Sequence, residues 1–172
     1  SPLTPSSVNQ PTTVNVLGDQ ARLTAVLRRG SGPYTVTALL PIAGTKPGEL
    51  NKSVLRAAGT DYPEDIERLY TQIPNGAIPV GGNAEKLLAG LAAEAEVDGL
   101  LNPYDFADLL ETRFKASGQN PLFTYDANVL DLLANECQDL STVECFSTYR
   151  RGFCQYYATT MAIFLRAEGI PA

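Results

Sequence analysis

The 172-residue chain contains no histidine. Within these residues, this absence excludes a catalytic triad with an imidazole base and a metal site built on histidine ligands. Tryptophan is absent as well, and methionine occurs once. Long apolar runs are also missing, since none approaches the roughly 20 residues that a membrane-spanning helix requires.

Positive charge is scarce. The chain has 13 lysines and arginines against 19 aspartates and glutamates, which gives a net charge of −6. Nucleic-acid binding depends on clustered cations that neutralise phosphates, and the sequence contains no extended cluster of this kind. We therefore expect no nucleic-acid partner. Two short cationic pairs stand out, Arg28-Arg29 and Arg150-Arg151.

Cysteine is also rare, with three residues: Cys137, Cys145 and Cys154. Without histidine they make a poor zinc site, and we expect neither a metal nor a cofactor. Cys137 and Cys145 flank a short polar loop, which a disulfide can close if the backbone brings their Cβ atoms together. Two ordinary thiols are the alternative, because the sequence does not show an oxidising compartment. In either case Cys154 is left without a partner.

The first third of the chain has the alternating pattern of strands. Residues 21–28 and 34–40 alternate apolar and polar side chains, and residues 29–33 between them have turn-forming composition. This pattern predicts a hairpin or two neighbouring strands, within a β-rich extension over residues 14–60. Residues 1–13 are polar and rich in proline and serine, which is typical of a linker.

From about residue 60 the apolar spacing becomes helical, so residues 61–172 are predicted to form a mostly helical region. Residues that begin or end helices mark its boundaries: Pro63, Pro74, Asn83, Asn102-Pro103 and Gly118. A strand-like segment is predicted at residues 122–125, and a helical turn at residues 128–133.

The last helix is predicted from about Phe153 to Glu168. Apolar side chains cover most of its circumference, and Gly169 can end it. Cys154 lies in its first turn, where backbone N–H groups are unpaired and the helix dipole is positive. Together with the charges of Arg150-Arg151, this environment favours a thiolate nucleophile.

Two further properties bear on Cys154. The N–H groups of the same turn can hold a developing oxyanion, and Gly152 can let a substrate chain or a neighbouring loop approach the sulfur. The alternative interpretation of Cys154 is a small apolar side chain that fills space in the core.

The end of the sequence resembles the nucleophile helix of bacterial transglutaminase-like proteins. Their pattern is Gly-x-Cys, an aromatic and a small residue, and then Arg-Ala-x-Gly-Ile-Pro-Ala. The matching residues are Gly152, Cys154, Tyr157, Ala158, Arg166, Ala167, Gly169, Ile170, Pro171 and Ala172. Four upstream segments resemble the membrane-anchored branch of this family: 34–37, 55–56, 61–63 and 70–74. Gln155 departs from the pattern, since the family often has glutamate there.

The resemblance implies an α+β fold. An N-terminal β hairpin or small sheet would precede the helical half of a transglutaminase-like, papain-like core, truncated at its C-terminal end. The histidine and aspartate of the family follow the nucleophile helix, so we expect them beyond Ala172 and expect these 172 residues alone to be inactive. The one catalytic residue that the resemblance implies here is Cys154.

The implied function is thiol acyl transfer on protein or peptide amides through a Cys154 thioester. A cysteine protease or amidase on the same scaffold is one alternative, and a non-catalytic extracytoplasmic binding module is another. The resemblance further implies a protein or peptide substrate, such as an envelope component. It also implies a periplasmic or cell-surface location in a membrane-anchored parent.

The apolar circumference of the last helix leads to one more expectation. A helix of this kind at the end of the chain would expose apolar surface. We therefore expect either self-association or a retained C-terminal fragment that covers it.

Overall fold

The computed structural model describes residues 4–8, 12–17, 20–25, 36–39, 44, 49–100, 102–115 and 121–172. The chain divides into two compact units, Ser1–Asn51 and Lys52–Ala172. Strands occur in the first unit and helices dominate the second, in agreement with the α+β class that the sequence predicts.

The described residues of the first unit include four strands: β1 (Thr4–Val8), β2 (Thr12–Leu17), β3 (Gln20–Ala25) and β4 (Val36–Leu39). Strands β2 and β3 pair antiparallel, and so do β1 and β4. The two alternating segments of the sequence therefore exist as β3 and β4. The prediction that they pair with each other is wrong, because each pairs with an earlier strand.

Strand β1 lies within residues 1–13, whose composition is typical of a linker. Backbone pairing rather than side-chain pattern places this segment in a sheet. The register shifts between Pro5 and Ser7. An irregular step of this kind tolerates proline, which cannot donate a ladder hydrogen bond.

The second unit contains seven helices and two short strands in its described residues: α1 (Lys52–Ala57), α2 (Glu64–Tyr70), α3 (Asn83–Val97), α4 (Pro103–Phe114), β5 (Thr124–Tyr125), α5 (Leu130–Asn135), α6 (Thr142–Tyr149), β6 (Arg151–Gly152) and α7 (Cys154–Ala167). The predicted helices and the strand-like segment occur in this order, whereas α1 and α6 are not predicted from the sequence. Gly118, predicted to end α4, lies outside the described residues. Helix α1 falls within residues 14–60, the range that the sequence pattern marks as β-rich.

An aromatic cluster joins α4, α6 and α7. Phe123 stacks on Phe146, with ring centroids 4.4 Å apart and planes 11° apart. Phe114 meets both rings edge-on and also contacts Phe164. All four side chains are buried. Each such burial stabilises the fold by roughly 1.5–3 kcal/mol, so this cluster is a main reason why the last helix packs where it does.

The N-terminus of α3 is capped from outside the helix. Glu144, a buried residue of α6, accepts hydrogen bonds from the backbone N–H groups of Asn83 (2.8 Å) and Ala84 (2.9 Å). A carboxylate is favourable there because helix N-termini have unpaired N–H groups and a positive dipole. The N-cap position is Gly82, where a Cβ would lie 2.7 Å from a Glu144 carboxylate oxygen. Glycine therefore makes room for the carboxylate.

Helix α4 begins as the sequence predicts. The Asn102 side chain accepts a hydrogen bond from the Asp105 N–H (3.0 Å), and Pro103 occupies the first turn. Arg56 of α1 donates through Nε to the Asp105 carboxylate at 2.7 Å. Burial acts to raise the pKa of Asp105, but the hydrogen bonds from Arg56 and Asn102 outweigh it and lower the pKa. These contacts attach α1 to α4.

The segment before α6 is fixed at both ends. A disulfide joins Cys137 to Cys145, whose Cα atoms are 5.6 Å apart. Closing so short a loop stabilises a protein by roughly 2–3 kcal/mol. Ser141 caps α6 by accepting from the Glu144 N–H (3.0 Å) and donates to the Ala77 carbonyl (2.7 Å). The start of α6 is thus tied to the loop before α3.

Replacing Glu144 tests the cap of α3. We expect Glu144→Gln to lower the free energy of unfolding by about 1–3 kcal/mol, because the amide keeps one acceptor and turns a donor toward two N–H groups. Urea unfolding followed by circular dichroism measures this loss. The matched control is Glu96→Gln, at an exposed position of α3. This change should alter the free energy of unfolding by less than about 0.5 kcal/mol. Equal losses in the two variants would contradict the role assigned to Glu144.

Candidate active site

The site is built on the connection between α6 and α7. Helix α6 ends at Arg150, which has a left-handed backbone with φ 56°. Strand β6 follows and pairs in parallel with β5. The Thr124 N–H donates to the Arg150 carbonyl and the Asp126 N–H to the Gly152 carbonyl, both at 2.8 Å. These bonds fix the backbone just before Cys154.

Cys154 is the first residue of α7, and its thiol is free and exposed. The interpretation of Cys154 as a core side chain is therefore wrong. Phe153 is the N-cap and makes no side-chain cap hydrogen bond. The Tyr156 N–H donates to the Phe153 carbonyl at 2.9 Å. In the described part of the chain, the N–H groups of Cys154 and Gln155 have no such partner, so the thiol lies beside two available donors.

The two arginines before Cys154 have other contacts. Arg151 forms an ion pair with Asp126, and its Nε lies 3.1 Å from the carboxylate. That hydrogen bond, with a second one from the Asn128 N–H, lowers the pKa of Asp126. The guanidinium carbon of Arg150 lies 5.1 Å from the Phe123 ring centroid. The sequence predicts that both positive charges stabilise a Cys154 thiolate. In the structure, Asp126 neutralises Arg151, and the guanidinium of Arg150 lies over the Phe123 ring.

The structure explains the glycine at position 152 by internal packing, whereas the sequence suggests that Gly152 lets a substrate or a loop approach the sulfur. It is buried, and a Cβ at this position would lie 2.9 Å from the Cβ and Cγ of Tyr156 and 3.2 Å from Cδ2 of Phe146. Glycine is needed because side chains of α6 and α7 pack directly against the backbone at this position. The space that it saves is filled by the protein's own aromatic side chains and not by a substrate.

Two tyrosines lie on the same side as the first turn of α7. Tyr157 follows Cys154 by three residues, a spacing that places both on one helix face. Its ring centroid is 6.1 Å from that of Tyr125, which is 58% exposed. Burial, with a smaller contribution from Tyr125, raises the pKa of Tyr157. The two rings thus lie close together near the start of α7, and no sequence signal points to Tyr125.

The residues after α7 form a clamp. Gly169 has φ 73°, and the Ile170 N–H closes the helix by donating to the Leu165 carbonyl at 2.9 Å. Arg166 donates to the carbonyls of Ala172 (2.7 Å) and Gln72 (3.2 Å). The Arg-Ala-x-Gly-Ile-Pro-Ala segment therefore stops α7 and holds the following backbone against the end of α2.

The surface of α7 differs from the expected apolar face. Its large apolar side chains are buried or half-buried, and the exposed positions are Cys154, Gln155 and Ala158. Exposed large apolar side chains occur elsewhere, for example Leu69 on α2. Small or polar side chains thus form the open side of α7. Self-association and a retained C-terminal fragment stay predictions.

Possible metal sites, membrane-spanning helices and cavities add no further group to the site around Cys154. Within the described residues, no three histidine, cysteine, aspartate or glutamate side chains are grouped so as to bind a metal ion. No helix in that part combines the length and apolarity needed to span a membrane. A cavity of about 160 Å³ lies between Phe106 and Gly169, and a groove of about 340 Å³ runs along α3. Cys154 lines neither of them.

Comparison with known proteins gives a match to the region that contains Cys154. A family model described as the transglutaminase-like superfamily matches residues 95–172. The matched range includes α4, α6 and α7 and therefore Cys154. Among curated proteins and among solved structures, no significant match was found. The sequence resemblance is thus supported at the level of the superfamily. The upstream segments that resemble the membrane-anchored branch lie outside the matched range.

A methyl group at Gly152 tests the packing before Cys154. We expect Gly152→Ala to lower the free energy of unfolding by about 1–3 kcal/mol, because its Cβ overlaps Tyr156 and Phe146. The control is Gly90→Ala on α3, where a Cβ would meet no heavy atom within 4 Å. That change should stabilise the protein by about 0.5–1 kcal/mol, since alanine is the better helix former. Thermal unfolding of both variants gives the comparison, and a neutral Gly152→Ala would refute the packing argument.

Proposed function

We propose that this chain supplies the nucleophile of a transglutaminase-like cysteine acyltransferase that acts on protein or peptide amides. The observation that carries the proposal is the exposed free thiol of Cys154 at the first residue of α7, within the residues that the superfamily model matches. A thiol in the first turn of a helix has the positive dipole and the free N–H groups that nucleophilic catalysis uses.

In the proposed reaction, the Cys154 sulfur attacks the carbonyl carbon of an amide. The resulting oxyanion accepts a hydrogen bond from the backbone N–H of Cys154, with the Gln155 N–H as a neighbouring donor. The C–N bond then breaks, the leaving amine takes a proton, and a thioester forms. An acceptor amine attacks the thioester, releases the sulfur and gives the new amide.

The proton transfers need an acid–base group, and these 172 residues contain no imidazole. The proposal assigns the base, and the carboxylate that orients it, to residues outside this sequence. The role of the described residues is to hold the sulfur and the oxyanion donors in place. The family resemblance is what suggests histidine and aspartate for the two missing groups.

A cysteine protease or amidase is the second candidate, because the superfamily match does not distinguish the acceptor. Water attacks the same thioester in that case, and the products are a carboxylate and a free amine. The two candidates differ in product and not in nucleophile. Incorporation of a fluorescent primary amine into a protein substrate indicates transfer, whereas chain cleavage or ammonia release without incorporation indicates hydrolysis.

The test compares Cys154→Ala and Cys154→Ser with the parent, each in the protein at its natural length. We expect either change to lower amine incorporation and hydrolysis by at least about 1,000-fold, because the nucleophile is removed. Thermal stability should stay the same in all three, since the side chain is exposed. That match separates lost chemistry from lost folding.

Two outcomes would count against the proposal. Activity retained in the Cys154→Ala variant would show that another group is the nucleophile. Alkylation of Cys154 by iodoacetamide no faster than that of a free thiol at neutral pH, together with no turnover in the parent, would favour a non-catalytic binding module.

We further propose that the domain works outside the cytoplasm, in a membrane-anchored parent and on an envelope protein or peptide. The Cys137–Cys145 disulfide supports the compartment, because structural disulfides persist in oxidising environments. Peptide mapping of the protein from its natural host should find N-ethylmaleimide on Cys154 after denaturation without reductant, and on Cys137 and Cys145 only after reduction. Labelling of Cys137 and Cys145 before reduction would contradict the proposed compartment.

A further inference from the structure

A groove of about 340 Å³ lies along one face of α3, separate from Cys154. Its sides come from α3, from the residue before the buried Phe123, and from the end of α6. The lining residues that matter here are Lys86, Gly90, Leu91, Glu94, Leu122 and Arg150. We call it the Arg150 groove.

The charges of the Arg150 groove are unbalanced. Glu94 is already paired, since Arg113 donates to its carboxylate through Nε at 2.7 Å. The side chains of Lys86 and Arg150 have no carboxylate partner in the described part of the chain. The groove therefore has two free cations, although the whole chain has a net charge of −6.

Arg150 has a second unusual property. Its Nη1 is buried and has no hydrogen-bond partner among the described residues. This atom is out of reach of the solvent, so any contact with a ligand in the groove has to come from the rest of the guanidinium. The backbone of Arg150 is also left-handed, and the ring of Phe123 supports the guanidinium from one side. The fold thus holds a cation at the groove without pairing it to a carboxylate of the described residues.

The rest of the groove is apolar and accessible. Leu122 is 39% exposed and Leu91 is buried, so one side and the base are hydrocarbon. No heavy atom lies within 4 Å of the position that a Cβ would take at Gly90, which leaves the wall of α3 open there. A ligand that fits must combine an anionic group for the cations with an apolar neighbour for Leu122.

We propose that the Arg150 groove binds an acidic peptide segment. A glutamate or aspartate carboxylate accepts hydrogen bonds from Arg150 and Lys86, and an adjacent apolar side chain covers Leu122. The volume is near the low end for ligand pockets and suits a short segment. This binding does not depend on the thiol chemistry of Cys154.

The experiment titrates the intact chain with the peptide acetyl-Leu-Glu-Leu-Glu-amide and follows backbone amides by NMR. Shifts should concentrate on Lys86, Gly90 and the residues next to Arg150. The matched peptide acetyl-Leu-Gln-Leu-Gln-amide should bind at least about tenfold more weakly, since it lacks the carboxylates. Binding of the acidic peptide should also weaken as salt is added.

Three variants complete the test. Lys86→Glu reverses an exposed charge and should weaken binding of the acidic peptide at least about tenfold, whereas Lys115→Glu, outside the groove, should not change it. Cys154→Ala should bind like the parent, which makes failure here distinguishable from failure of the proposed catalysis. No binding of the acidic peptide, equal binding of the glutamine peptide, or unchanged binding by Lys86→Glu would each overturn the proposal. Full displacement by an equal concentration of inorganic phosphate would overturn the peptide assignment.

Discussion

The hydrogen bonds from the α3 N-terminus to the Glu144 carboxylate hold together the part of the molecule on which the thiol depends. They bring two helices that are about 60 residues apart in sequence into one fixed arrangement. A buried carboxylate is costly unless it is paired, and here two backbone N–H groups and a helix dipole compensate for burial. The same residue lies next to Cys145, so the disulfide and the cap restrain α6 at the same point. Helix α6 is therefore rigid where it begins.

That rigidity reaches Cys154 through packing. Phe146, in the last turn of α6, stacks on Phe123 and also lies against the position of a Cβ at Gly152. Phe123 immediately precedes β5, whose backbone pairs with β6. The end of α6, the two-residue sheet and the start of α7 thus share one set of buried rings. A change in any of them displaces the backbone that carries the sulfur.

Local signals in the sequence predict the elements well, and non-local contacts explain the failures. Asn102-Pro103 was sufficient to place the start of α4, because both the cap and the proline act within one turn. At α3 the sequence suggests Asn83 as the cap, whereas Gly82 occupies that position and a distant carboxylate does the capping. The Ser141-x-x-Glu144 spacing is that of a capping box, which normally keeps the glutamate at its own helix. Only the tertiary fold shows that the Glu144 carboxylate caps α3 and not its own helix.

The candidate site follows the same rule. The position of Cys154 at the head of a helix is a local property and is predictable, and the spacing of Gly169 and Pro171 fixes where that helix ends. The exposure of the thiol is not local, because it depends on which faces of α7 other elements cover. The partners of Arg150 and Arg151 are not local either, since Phe123 and Asp126 lie more than 20 residues upstream. The prediction that β3 pairs with β4 is wrong for the same reason, because strand pairing is also a non-local property.

The contacts of these arginines bear on the proposed role of Cys154. Arg151 is neutralised by Asp126, and the guanidinium of Arg150 lies over a ring at the edge of a separate groove. What remains beside the sulfur is the backbone itself: the α7 dipole and the free N–H groups of the first turn. These donors suit an oxyanion that forms during attack, since they need no reorganisation. They cannot accept a proton, so the proposed reaction takes its base from another group. In the proposed reaction, this region places the nucleophile and its oxyanion donors on a rigid connection. The disulfide, the Glu144 cap and the aromatic cluster all support that rigidity.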